Sequence, residues 1–185
     1  YKIFFLSVVT YGLSYGLYKG VIDNYLAEVV SMTSFDKGVS EFFRELPGLA
    51  LVFILAALYM FSAERIYKIG ALVMLVGMGM QAAVPPSRVL VILSILIYSL
   101  GDHMQLGMRS TITLQYAKDG RGGVALGLQN AFHQIGMLAG YLIIIAVCFF
   151  LGSSVGLFRS VFVASALMIA LGFVACLKLT GESET

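Results

Sequence analysis

Long runs of apolar residues, broken by short polar clusters, dominate the chain. Six such runs are legible, at residues 3–29, 38–61, 66–84, 88–116, 123–151 and 157–179. Each is about as long as the roughly 20 residues that a helix needs to cross the hydrocarbon core of a bilayer. The breaks are chemically distinct. A polar stretch at 31–37, the run Ser62-Ala63-Glu64-Arg65, the pair Pro85-Pro86, the turn Lys118-Asp119-Gly120-Arg121-Gly122 and a glycine turn at 152–156 separate the runs. Proline stops a helix because it lacks the N–H and clashes with the preceding turn. Transmembrane barrels use alternating segments of about ten residues. These runs are longer and continuous, so the pattern predicts an all-α polytopic membrane protein, one six-helix bundle covering residues 1–185 with a polar tail at 180–185.

Composition supports the same expectation. Hydrophobic residues make up 59% of the 185 residues and charged residues 12%, about half the charge of a soluble domain. Six spans leave no room for a soluble domain of useful size. The net charge of +2 is too small to indicate nucleic acid as a partner. Cys148 and Cys176 lie within apolar runs and read as small buried hydrophobes rather than a disulfide or a metal site. No metal or cofactor is expected. The chain begins at Tyr1 rather than Met and carries no basic region followed by a small-residue cleavage site, so a partial or trimmed polypeptide is expected.

Lysine and arginine placement orients the spans. With the N-terminus in the cytoplasm, the inner segments carry Lys2, Arg65, Lys68, Lys118, Arg121 and Lys178, and the outer segments carry Lys37, Arg88 and Arg159. That bias predicts both termini on the cytoplasmic side of a plasma or inner membrane.

Glycines repeat at helical spacing. Gly12, Gly16 and Gly20 form a smooth strip on the first span, Gly136 and Gly140 do so on the fifth, and Gly77 and Gly79 thin the third. Small residues let helix backbones approach closely in lipid. Either a tight static contact or a sliding surface fits the strips.

Polar residues within apolar runs are costly, about 2.5–3.5 kcal/mol for an ionisable group even on the lenient insertion scale, and so carry information. On the fourth span Tyr98, Asp102, Gln105 and Arg109 follow each other by four, three and four residues, which puts them on one helix face. His103 lies one residue off that stripe. Such a face lines water, a partner helix or a substrate. An internal salt bridge that only locks helices, such as Asp102 with Arg109 through water, is the plainer alternative. The fifth span carries Gln129, Asn130, His133 and Gln134, with Gln129 and His133 on one face and Asn130 and Gln134 on another. The first span holds Tyr15, Lys19 and Asp23 at one-turn intervals, with a Lys19–Asp23 pair as the plain reading. The second opens with Glu41, Arg44 and Glu45, read as an ion-pair cluster at the outer end, with a gate as the alternative.

No GxSxG, HExxH, CxxC or P-loop signature occurs, so no enzyme is expected. Acids, histidines and amides along one path suit proton relay and solute binding. The candidate cavity residues are Tyr98, Asp102, Gln105, Arg109, Gln129, Asn130 and His133. Asp102 and His103 are the candidate proton carriers, with Asp23 and Glu41 in reserve near the outer mouth. The competing classes are a non-transport membrane scaffold, an intramembrane enzyme and a six-helix channel. A channel favours a ring of one residue type, which the varied polar set does not offer.

The order of motifs resembles one half of a major facilitator superfamily transporter. Glu64-Arg65 with Lys68 is similar to the acid-Arg pair and later base of that family's cytoplasmic loop, although the family's glycines are absent there. Arg121-Gly122-Gly123-Val124-Ala125-Leu126-Gly127, followed by Gly136 and Gly140, is similar to its RGxAxGL and GxxxG pattern. Arg109 resembles the membrane arginine of the family's fourth helix, and Leu46-Pro47-Gly48 also recurs in such proteins. The resemblance implies a six-helix half, by preference the N-terminal one. A second half then completes a midplane substrate site, as a separate chain, a second copy or a covalent continuation. It further implies helices one and four at the central cavity, with helix five contributing. A small solute, protons and the lipid bilayer are the implied partners.

Overall fold

A computed structural model describes residues 2–118 and 120–179. Asp119 and the predicted polar tail at 180–185 lie outside the described residues. Within them the chain is all helical, with six long helices: α1 Lys2–Asn24, α2 Ser34–Ala57, α3 Ala63–Ala83, α4 Arg88–Tyr116, α5 Gly122–Leu151 and α6 Val155–Cys176. One π-helical stretch, Tyr25–Val29, prolongs α1. Together α1 and this stretch fill the first predicted run, and α4 matches the fourth residue for residue.

The starts of three helices are set by side-chain caps. Hydropathy alone places the second run at residue 38, but α2 begins at Ser34. Thr33 accepts a hydrogen bond from the Asp36 N–H at 3.2 Å, and the Asp36 carboxylate accepts one from the Thr33 N–H at 2.8 Å. This reciprocal capping box satisfies two N–H groups that have no partner inside the helix. Ser62 caps α3 through the Arg65 N–H, and Ser154 caps α6 through the Leu157 N–H. Both helices therefore also begin before their apolar runs.

Four of the six helices are long and apolar enough to cross a membrane: α3, α4, α5 and α6. The other two fall short for identifiable reasons. α2 carries Glu41, Arg44 and Glu45 in its middle. α1 is diluted by tyrosine, serine and glycine, many of them buried, among them Ser7, Tyr11, Gly12, Ser14, Gly16 and Tyr18.

Helix α1 packs against α5 and α6, α3 against α4 and α6, and α2 against α4. The glycine strips predicted from spacing meet each other. Gly12 and Gly16 of α1 lie against the His133 and Met137 carbonyls of α5, and Gly136 of α5 lies against the Val9 carbonyl of α1. A Cβ at Gly140 would sit 2.7 Å from the Leu17 nitrogen. These contacts are backbone on backbone, which only glycine allows. Gly77 of α3 lies under the Tyr98 backbone of α4, but Gly79 faces open space, so only one of the two thins that helix for packing.

Two pairs of polar groups within the core meet across helices. Ser14 of α1 and Ser165 of α6 are fully buried, with their hydroxyls 2.7 Å apart. Ser7 of α1 meets the Tyr67 hydroxyl of α3 at 3.2 Å. At the same end the Phe4 ring packs at an angle against Tyr67 and edge-on against Tyr116, and Lys68 donates to the Leu179 carbonyl at 2.9 Å. The start of α1 and the segment that follows α6 therefore lie at one end of the bundle.

Candidate functional site

One cavity of about 300 Å³ opens between α1, α4 and α5. The α4 wall is Asp102, Gln105, Leu106 and Arg109. The α5 wall is Asn130, His133, Gln134 and Met137, and α1 closes it with Tyr11 and Tyr15. The α4 wall follows from helix periodicity, since residues 102, 105, 106 and 109 share a face. The α5 wall follows from the glycine contacts: with Gly12 against the His133 carbonyl, α5 is held close and the His133 ring stands 6.3 Å from the Tyr15 ring.

The structure thus brings together five residues singled out by pattern: Asp102, Gln105, Arg109, Asn130 and His133. It leaves two others out of the lining. Tyr98, one turn before Asp102, is buried against Tyr18 with ring centroids 4.7 Å apart and its hydroxyl unpartnered. Gln129 is buried with its Nε2 unpartnered, while the adjacent Asn130 faces outward into the opening. Tyr11, Leu106 and Met137 were not legible as site residues. Tyr11 carries the one usable signal, its one-turn spacing from Tyr15 beside the glycine strip.

The candidate proton carriers separate in space. Asp102 faces the cavity. His103, one residue on, is rotated about 100° around the helix and faces α2. Its Nδ1 lies 2.9 Å from the Ser99 carbonyl, which makes Nδ1 an N–H donor to that oxygen. Its Nε2 lies 3.9 Å from a Glu45 carboxylate oxygen, and its ring covers Gly48. The Ser99 hydroxyl also bonds to the Arg44 carbonyl, binding α4 to α2. Glu41 does not reach the cavity. It pairs with Arg44 at 2.5 Å, and Glu45 pairs with the same guanidinium at 2.9 Å. Asp23 is exposed near the far end of α1, and no Lys19–Asp23 salt bridge forms among the described residues.

Among the described residues, Asp102 and Arg109 on the cavity wall have no salt-bridge partner. Asp102 and Arg109 make no direct salt bridge, their backbones standing two helical turns apart. The Arg109 Nε is buried without a hydrogen-bond partner. Gln105 is partly committed, its Nε2 donating to the Tyr67 carbonyl at 3.1 Å. The loop motif makes no acid–Arg lock here. Glu64 is buried, Arg65 is exposed, and of the three Lys68 alone has a cross-helix bond, to the end of α6.

Outside the bundle core, at the first turn of α2, the Thr33 N–H and then the Thr33 hydroxyl hold the Asp36 carboxyl below the usual carboxylate range, and Arg88 at 3.2 Å adds to the effect. Among the described residues no group of three or more His, Cys, Asp or Glu is placed to hold a metal ion. Chemically, the cavity offers one carboxylate, one guanidinium, one imidazole and several amides. These can bind a polar solute and accept or release a proton. No protein-family model matches the chain, and no curated protein matches it.

Proposed function

We propose that the chain is one six-helix half of a secondary transporter of the major facilitator type, binding a small solute in the α1–α4–α5 cavity. In this reading all six helices cross a plasma or inner membrane. α1 and α2, at 23 and 24 residues, are each about 35 Å long, enough to accompany their neighbours across the bilayer. The one end of the bundle where α1 starts and α6 finishes then faces the cytoplasm, in keeping with the lysine and arginine bias.

The observation that carries the reading is a cavity lined by an acid and a base, Asp102 and Arg109, that make no salt bridge among the described residues. Ionisable groups at that depth are costly and are retained where they bind or relay something. The packing pattern adds support. Exchanging α1, α2 and α3 with α4, α5 and α6 turns the α1–α5 contact into α4–α2, turns α3–α4 into α6–α1, and leaves α3–α6 unchanged. Two three-helix repeats related in this way are the build of transporters that work by alternating access. A second six-helix unit completes the site on the open side of the cavity.

Asp102 carries the coupling proton in this scheme, because it is the carboxylate on the cavity wall. The test is proton movement in proteoliposomes holding the native protein, followed with an internal pH dye while solutes of different charge are added outside. Solute-dependent proton flux that disappears in Asp102→Asn at equal incorporation is the expected result. Proton flux unchanged in that variant removes Asp102 from the mechanism, and flux of ions without any solute favours a channel.

A further inference from the structure

The charges on the α4 wall narrow the solute class, on the premise that this cavity is the solute site of the proposed transporter. Asp102 and Arg109 both line the cavity, carry opposite charges and stand seven residues apart. Seven residues correspond to a rise of about 10.5 Å along the helix. Neither side chain has a salt bridge or hydrogen bond among the described residues, and the Arg109 Nε is buried without a partner. An ionised group withdrawn from water without a counter-charge is unfavourable. A ligand that supplies both counter-charges relieves both groups at once. A singly charged ligand leaves one of them bare.

We propose that the cavity takes a linear zwitterion of about dipeptide size, its ammonium at Asp102 and its carboxylate at Arg109. The spacing disfavours a free α-amino acid, whose two charges sit on one carbon. An extended chain covers at most about 3.3–3.6 Å per residue, so two or three residues place the charges about 7–10 Å apart. The volume of about 300 Å³ lies at the small end of ligand pockets and leaves room for a solute of this size. Between the two charges the wall is Leu106 and an amide, Gln105, already bonded to the Tyr67 carbonyl. The middle of the ligand therefore meets apolar surface, and its polar groups face Asn130 and His133 on α5.

The test is a binding panel on the purified native protein in lipid nanodiscs, by calorimetry. The probes are L-alanyl-L-alanine, its N-acetyl form (anion), its C-terminal amide (cation) and glycine. The dipeptide is expected to bind on the order of ten-fold tighter than either blocked form, the effect of one charge-assisted contact, with glycine weakest. Arg109→Gln is expected to make the amide and the free dipeptide equivalent, and Asp102→Asn to do the same for the N-acetyl form. Equal affinity for all three peptides, preference for glycine, or no binding of any probe overturns the proposal. The panel on the unaltered protein decides this even if a variant does not fold. Flux separates this inference from its premise. A bound dipeptide that is not carried in proteoliposomes leaves the zwitterion site standing and removes transport. Carriage of singly charged solutes alone does the reverse.

Discussion

Gly12 of α1 rests against the backbone carbonyl of His133 on α5, so closely that no side chain fits between them. The contact belongs to packing and to the site together, because it fixes how far the His133 ring stands from Tyr15. The neighbour is backbone and cannot swing aside. Gly12→Val is therefore expected to part α1 from α5, costing about 1–3 kcal/mol and weakening solute binding in the cavity. Thermal unfolding in detergent, alongside a binding titration, checks both. Unchanged melting would mean that the two helices are not packed as described.

The two glycines of α3 make a paired control. A Cβ at Gly77 runs into the Tyr98 backbone, whereas one at Gly79 meets nothing within 4 Å. Gly77→Ala is expected to destabilise. Gly79→Ala is expected to be neutral or to stabilise by up to about 1 kcal/mol, since alanine loses less backbone freedom than glycine in a helix. Equal melting temperatures for the two variants would refute the assigned faces of α3.

The start of α2 is expected to respond to acid. The folded state holds the Asp36 carboxyl below its ordinary value, chiefly through the Thr33 N–H. Its contribution is therefore fully present above the ordinary aspartate range, near about pH 4, and is lost as the pH falls through the lower folded value. Asp36→Asn should melt below the native protein at neutral pH, and the difference should close in strong acid. Thr33→Ala should cost about 1 kcal/mol through loss of the cap. A gap between native and Asp36→Asn that persists under strong acid would show that charge is not the cause.

The two histidines are expected to differ in kind. His103 packs α4 against Gly48 and Glu45 of α2, and His133 lines the cavity. His103→Gln should lower the melting temperature and leave affinity for alanyl-alanine unchanged. His133→Gln should weaken that affinity with little effect on melting. Calorimetric titration and thermal unfolding of both variants distinguish the roles, and the opposite pattern would refute the placement of the cavity.

Most helix boundaries were legible because apolar length and the punctuating prolines and glycines act locally. The exceptions are instructive. α2, α3 and α6 start early because Thr33, Ser62 and Ser154 cap them, and a cap depends on one side chain meeting one N–H rather than on hydropathy. The polar stripe of α4 was legible from residues 102, 105 and 109. Tyr98 shares that spacing but not the cavity, because Tyr18 of α1 packs over it. Periodicity reports a face and cannot report where along that face a neighbouring helix closes the space.

The sequence by itself determined the helical class, the lengths of the apolar runs, the glycine strips and the shared face of Asp102, Gln105 and Arg109. All of these follow from the 3.6-residue period and from what lipid and proline do to a backbone. Only the tertiary structure decided that the α1 and α5 glycines meet each other and that His133 joins the α4 stripe while His103 turns to α2. Which helix lies beside which is settled by packing between segments distant in the chain. A single residue's step around a helix, about 100°, then separates a group on the cavity wall from one that holds the bundle together.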